Sequence, residues 1–173
     1  QVTWKIEVAN QFEVALNNVG EKSYATAYLP FGVSAVEGAD AYVGTLNTKK
    51  TELNMTQTTS VPAEKGFVLV GAADAKATLT IGNVTETVNS DLTGTNTAIT
   101  LTDDNCANYL VFGRKNGGAN VLGFFKPTAN TIPANKAFLD ATTLNGASSA
   151  IAMNFSGNTT GVNTVVLGEN GVN

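Results

Sequence analysis

Histidine is absent from the 173-residue chain. That removes the commonest general acid–base and the commonest transition-metal ligand together, and no Ser–His or Cys–His nucleophile can form. The single Cys106 has no partner for an internal disulfide and cannot build a zinc site alone. It reads as a small residue on a strand flank; the alternative, a reactive thiol, lacks a neighbouring cationic cluster. Charge is scarce, with 14% of residues charged where soluble domains usually carry about a quarter. Lys and Arg number ten, the net charge is −4 and no basic stripe exists, so no nucleic acid is expected as a partner. The same shortage disfavours an anionic membrane surface. No apolar run approaches the ~20 residues that span a bilayer, so no membrane insertion is expected, and no stretch reads as a signal peptide.

What fills the chain is Thr, Asn and Ser with 17 Gly, and a hydrophobic fraction of 43%. That is the palette of strands and turns rather than helices, with enough apolar residues for a buried core. Period-two alternation appears at once: Val2, Trp4, Ile6 and Val8 share one face, predicting a half-buried strand. Phe12, Val14 and Leu16 repeat the pattern up to a turn at Asn17–Gly20. Further strands are predicted over 23–29, 40–46, 51–56, 67–70, 77–81, 84–88, 98–101, 109–112, 121–125, 137–139, 150–155 and 164–167. Gly82-Asn83 is read as a hairpin turn between two of them. About a dozen short strands with a turn signal every ten residues or so predict an all-β domain, a β-sandwich or barrel-like. It is taken as a single domain over 1–173 with repeat-like halves at 23–88 and 97–162.

The halves are suggested by one phrase that occurs twice. Ser60-Val61-Pro62-Ala63-Glu64-Lys65-Gly66-Phe67-Val68 returns as Thr131-Ile132-Pro133-Ala134-Asn135-Lys136-Ala137-Phe138-Leu139. Proline fixes φ and lacks a donor, so it belongs where the chain enters a strand or runs along an edge. The small residue after Lys lets another backbone approach, and Phe anchors the strand. The phrase therefore reads as a turn-plus-strand device; a ligand site built on Lys65 or Lys136 is the alternative.

Several phrases, in order, resemble a module of Bacteroidales surface proteins (Bacteroides and Prevotella relatives). Ser23-Tyr24-Ala25-Thr26-Ala27-Tyr28-Leu29-Pro30-Phe31 is similar to that family's SYATLYLPF opening. Gly38 to Asn47, Val61 to Gly71 and Leu92-Thr93-Gly94-Thr95 follow it. Leu122-Gly123-Phe124-Phe125-Lys126, Thr131 to Leu139 and Thr159-Thr160-Gly161-Val162 complete a likeness over roughly residues 20 to 162. The resemblance implies a secreted or cell-surface location on the outer membrane exterior. In that family the module often precedes a short segment linked to export or attachment. Here the chain stops at Gly168–Asn173, and it starts at Gln1 without Met, so a processed or trimmed product is expected.

Little site chemistry is expected. The acids Glu37, Asp40, Asp74, Asp91 and Glu169 are scattered over turns rather than paired for glycoside hydrolysis. Asp103-Asp104-Asn105 clusters, but without the alternating ligands and closing acid of a calcium loop; a solvated turn is expected, a weak calcium contact being the alternative. Gly113 to Gly118 lacks the strand–loop–helix setting and Lys-Ser/Thr ending of a phosphate loop. Asn54, Asn83, Asn154 and Asn158 stand in Asn-x-Ser/Thr triplets, which matter only after expression in a eukaryote. Trp4, Tyr24, Tyr28, Tyr42 and Tyr109 are the candidates for stacking on a sugar, with core or edge packing as the other reading. No catalytic, metal or cofactor-binding residue is assigned, ligand-binding residues are left unassigned, and no cofactor is expected. The expected function is a non-catalytic, non-enzymatic structural or adhesive module that associates with itself or other surface proteins. The alternative is a carbohydrate-binding module with a glycan as partner.

Overall fold

Strand-forming runs and turn residues alternate along the chain, and the computed structural model follows that alternation. It describes residues 2–4, 9–114, 122–144 and 150–155. The first strands are β1 (Gln11–Ala15), β2 (Asn17–Val19), β3 (Lys22–Tyr28), β4 (Val33–Glu37), β5 (Asp40–Leu46), β6 (Glu52–Thr58), β7 (Gly66–Ala72) and β8 (Lys76–Ile81). They are followed by β9 (Leu92–Thr95), β10 (Ile99–Thr100), β11 (Tyr109–Arg114), β12 (Leu122–Phe125), β13 (Thr131–Ile132), β14 (Lys136–Asp140) and β15 (Ala150–Asn154). The only helical pieces among the described residues are 3₁₀ turns at Cys106–Asn108 and Ala141–Leu144.

Ten strands form one curled sheet in the order β2-β3-β7-β5-β6-β15-β12-β11-β14-β9. Two strand groups mirror each other along it: β3-β7-β5-β6 on one side and, read inward from the far end, β9-β14-β11-β12 on the other. Between them sits β15, parallel to β6 and antiparallel to β12. The curl brings the two ends together. The Tyr28 N–H of β3 donates to the Asn135 carbonyl just before β14 at 3.1 Å, and the Ala137 N–H of β14 donates to Thr26 Oγ1 at 3.3 Å. The domain is thus all-β and barrel-like. A smaller sheet, β1-β8-β4, covers part of its outside, and β10 pairs with β13.

This layering explains the sequence pattern of the central strands. The inner face of the curl is filled by Tyr24, Tyr42, Leu53, Val68, Phe124 and Met153, among others. The opposite face of β3, β5 and β7 carries Ala25, Ala27, Ala41, Val43, Phe67 and Leu69, packed with Leu79 of β8. Strands buried on both faces read as continuous apolar runs, which is what Phe67 to Val70 is. Fully burying a side chain such as Phe67 or Leu69 contributes roughly 1.5–3 kcal/mol.

Three expectations fail. Residues 2–4 form no strand, and Val2 and Trp4 are 77% and 86% exposed. Their alternation supplies an apolar face, but none of the strand pairings takes them in. Ile6 and Val8 lie outside the described residues, as do Lys115 to Gly118, Val121, Asn158 and the 164–167 strand. Secondly, 84–88 is not a strand. A Gly-first hairpin turn needs a positive φ at Gly82, and among the described glycines only Gly20 and Gly38 have one. The segment instead runs as a tether: the Asp91 N–H donates to the Gly44 carbonyl at 2.7 Å, and Ser90 Oγ to the Gly66 carbonyl at 2.9 Å. Thirdly, β2, β4, β9 and β13 were not anticipated; Asn17 to Val19, read as part of a turn, pair with β3, and the turn falls at Gly20–Glu21. Gly94 weakens the strand signal of β9, yet it is required there, because a Cβ would collide with the Tyr28 ring and lie 2.6 Å from the Lys136 carbonyl oxygen.

Candidate functional site

The two copies of the repeated phrase build the same local device. Each makes a tight turn after its proline, with a positive φ at Glu64 (60°) and at Asn135 (63°). Each is approached from a short antiparallel pairing, Val61 with Val33 and Ile132 with Ile99. Both turns grip the end of β3. The Glu64 N–H donates to the Leu29 carbonyl at 2.8 Å, while Asn135 holds Tyr28 from both sides, its carbonyl accepting from Tyr28 N–H and its Nδ2 donating to the Tyr28 carbonyl at 3.3 Å. The small residue after Lys has a clear reason in the first copy. A Cβ on Gly66 would stand 2.8 Å from the backbone of Leu92. Phe67 plugs the cluster under the small sheet, and Phe138 a separate cluster with Leu101 and Ile132.

The copies differ in what surrounds their lysines. Lys136 lines a cavity of about 240 Å³ together with Thr131, Ile132, Pro133 and Ala137 of its own phrase. Tyr24, Ala25 and Thr26 of β3 form one wall, Val111 and Phe112 of β11 another, and Asn17, Pro127 and Ala129 complete it. Lys65 lines neither this cavity nor the two polar clefts found at Lys22–Asp40–Gly71 and at Thr45–Gln57–Asn89. The Tyr24 and Phe112 rings lie 6.1 Å apart at 33°. Burial of Tyr24, and secondarily the nearby Tyr42, push the Tyr24 phenol above the usual tyrosine range.

The remaining candidates are dispersed. Tyr24 and Tyr42 belong to the core at 5% and 0% exposure. Tyr28 is half-buried over Gly94, and Tyr109 packs edge-on against Phe138 with centroids 5.0 Å apart. Trp4 alone of the five is broadly exposed. The acids serve as local ties. Asp40 accepts from Gln57 Nε2 at 3.0 Å, Asp74 is locked reciprocally with Asn18, and Asp91 Oδ2 accepts from the Leu46 N–H at 2.7 Å. In the 103–105 turn Asn105 bonds backward, accepting from the Thr102 N–H and donating to the Thr100 carbonyl. Cys106 is half-buried beside the Leu101–Ile132–Phe138 cluster. Asn54 and Asn83 are exposed, and Asn154 Nδ2 donates to Glu52 Oε1 at 2.5 Å. No group of three or more His, Cys, Asp or Glu side chains gathers among the described residues, and no helix there is long and apolar enough to cross a membrane.

The cavity itself was foreshadowed only by the alternative reading of Lys136. Apart from Pro127 and Ala129, its other walls come from β2, β3 and β11, between 24 and 119 positions away from Lys136 (Phe112 and Asn17 being the extremes), and no local pattern links them. No protein-family model, no curated protein and no solved structure matches the chain.

Proposed function

We propose that this chain is a non-catalytic structural or adhesive module of a secreted or cell-surface protein from a Bacteroidales-type bacterium, acting by association with copies of itself or with other surface proteins. The observation that supports this most is the small outer sheet. Among the described residues β1 pairs only with β8, and β4 with β8 and, at Val33 alone, with Val61. A row of unpaired N–H and C=O groups is a template for a neighbouring strand. The outward residues of β1 are Gln11, Glu13 and Ala15, of which only Glu13 is charged, so the edge carries little of the charge that commonly blocks such pairing.

The expected outcome is a defined larger species that grows with concentration in light scattering. Adding edge charge with Gln11→Lys and Ala15→Lys should return it to monomer without changing the circular dichroism spectrum. A monomer at every concentration would sink self-association through this module. Trp4 favours the carbohydrate-binding reading as a second one, since an indole 86% exposed is a ready sugar platform. On that reading the chain is retarded in a polysaccharide gel and Trp4→Ala abolishes the retardation; equal mobility of both proteins rejects it.

A further inference from the structure

The cavity beside Lys136 joins an apolar wall to a polar one. Phe112, Val111, Ile132 and Pro133 supply the apolar part, and Asn17, Thr26, Thr131 and Lys136 the polar part. Thr26 Oγ1 also accepts the Ala137 N–H. At about 240 Å³ the space lies below the ~300 Å³ at which pockets begin to hold drug-sized ligands. It therefore suits a single ring or a short branched chain. Among the described residues Lys136 is the one charged residue in the lining, and it forms no ion pair there. A lysine that forms no such pair, in a lining that is part apolar and part polar, complements a carboxylate carried on an apolar body.

We propose that this cavity binds a small apolar monocarboxylate, its ring or branched chain against Phe112, Val111 and Ile132 and its carboxylate on the Lys136 ammonium. The proposal stands apart from the surface-module reading, because it needs neither assembly nor a glycan. The internal repeat provides a control, since Lys65 occupies the same place in the first phrase but lines none of the three cavities described.

The test is a titration of the ¹⁵N-labelled chain with phenylacetate, followed by amide shifts. Saturable shifts are expected at Thr26, Val111, Lys136 and Ala137, with a dissociation constant in the millimolar range. Phenylethanol, which keeps the ring without the charge, and glucuronate, which keeps the charge on a hydroxylated ring, should each bind about tenfold more weakly or worse. Lys136→Met should weaken phenylacetate about tenfold, Lys136→Arg should retain binding, and Lys65→Met should change nothing. The proposal is overturned if glucuronate binds as well as phenylacetate, if phenylethanol does, if Lys65→Met weakens binding as much as Lys136→Met, or if those amides show no saturable shift. The three-ligand comparison on the unaltered chain decides the matter even where a variant folds poorly.

Discussion

Tyr24 shows how a residue singled out for one reason turns out to matter for another. Its aromatic ring marks it as a sugar-stacking candidate, but it sits in the core, 5% exposed. Burial disfavours the phenolate, so the folded state holds the proton at pH values where the unfolded chain, titrating near 10, has released it. The folded state then binds more protons than the unfolded one, so stability present below pH about 10 is lost as pH rises beyond it. Tyr24→Phe should leave the melting temperature near neutrality little changed and flatten its decline above pH about 10. Melts of both proteins across that range check it, and parallel declines would mean that Tyr24 contributes nothing to alkaline unfolding. The exposed Trp4 is the opposite case. Its place in an alternating run predicts burial, and local alternation cannot reveal whether a sheet takes the run in.

At the level of elements, the repeated phrase was the most legible feature and its geometry gives it a ranking of sensitivities. Both turns need a left-handed residue, yet one copy uses Asn135, which tolerates that region, and the other Glu64, which does not do so readily. Asn135→Ala removes the side-chain bond to Tyr28 and puts a β-carbon in the left-handed region, and should cost about 1–3 kcal/mol. Glu64→Asn keeps the Leu29 bond, which is made by backbone, and should stabilise by a few tenths of a kcal/mol to about 1. Thermal melts should therefore move in opposite directions for the two variants; a shared direction would mean that the turns are not equivalent. Strands with strong alternation or continuous apolar runs, such as β5 and β7, were visible in the sequence because burial on one or both faces dictates their pattern. Segment 84–88 was misread because its alternation is real. What pins the chain just beyond it, the Asp91 and Ser90 contacts to β5 and β7, comes from strands more than twenty residues earlier in the chain.

For the molecule as a whole, turn spacing and composition were enough for the all-β, barrel-like class. Strand order was not readable, because the ten strands of the large sheet are brought together by pairings that sequence periodicity does not encode. The cavity shares that opacity, being assembled from β3, β11 and the second phrase only once the sheet curls.

The position of β15 has a kinetic consequence. Its partner β6 lies about a hundred residues earlier, as the contact between Asn154 and Glu52 illustrates. As the chain leaves the ribosome, β6 and β12 face each other as two open borders until residues 150–154 arrive to join them. Such non-local closure places folding in the slow, millisecond-to-second class, and leaves the half-made sheet prone to pairing with other nascent chains in the interval. Substituting Ile151 or Met153, both fully buried in β15, by Ala should lower the refolding rate in proportion to the stability lost if closure is the rate-limiting event, and should raise only the unfolding rate if it follows.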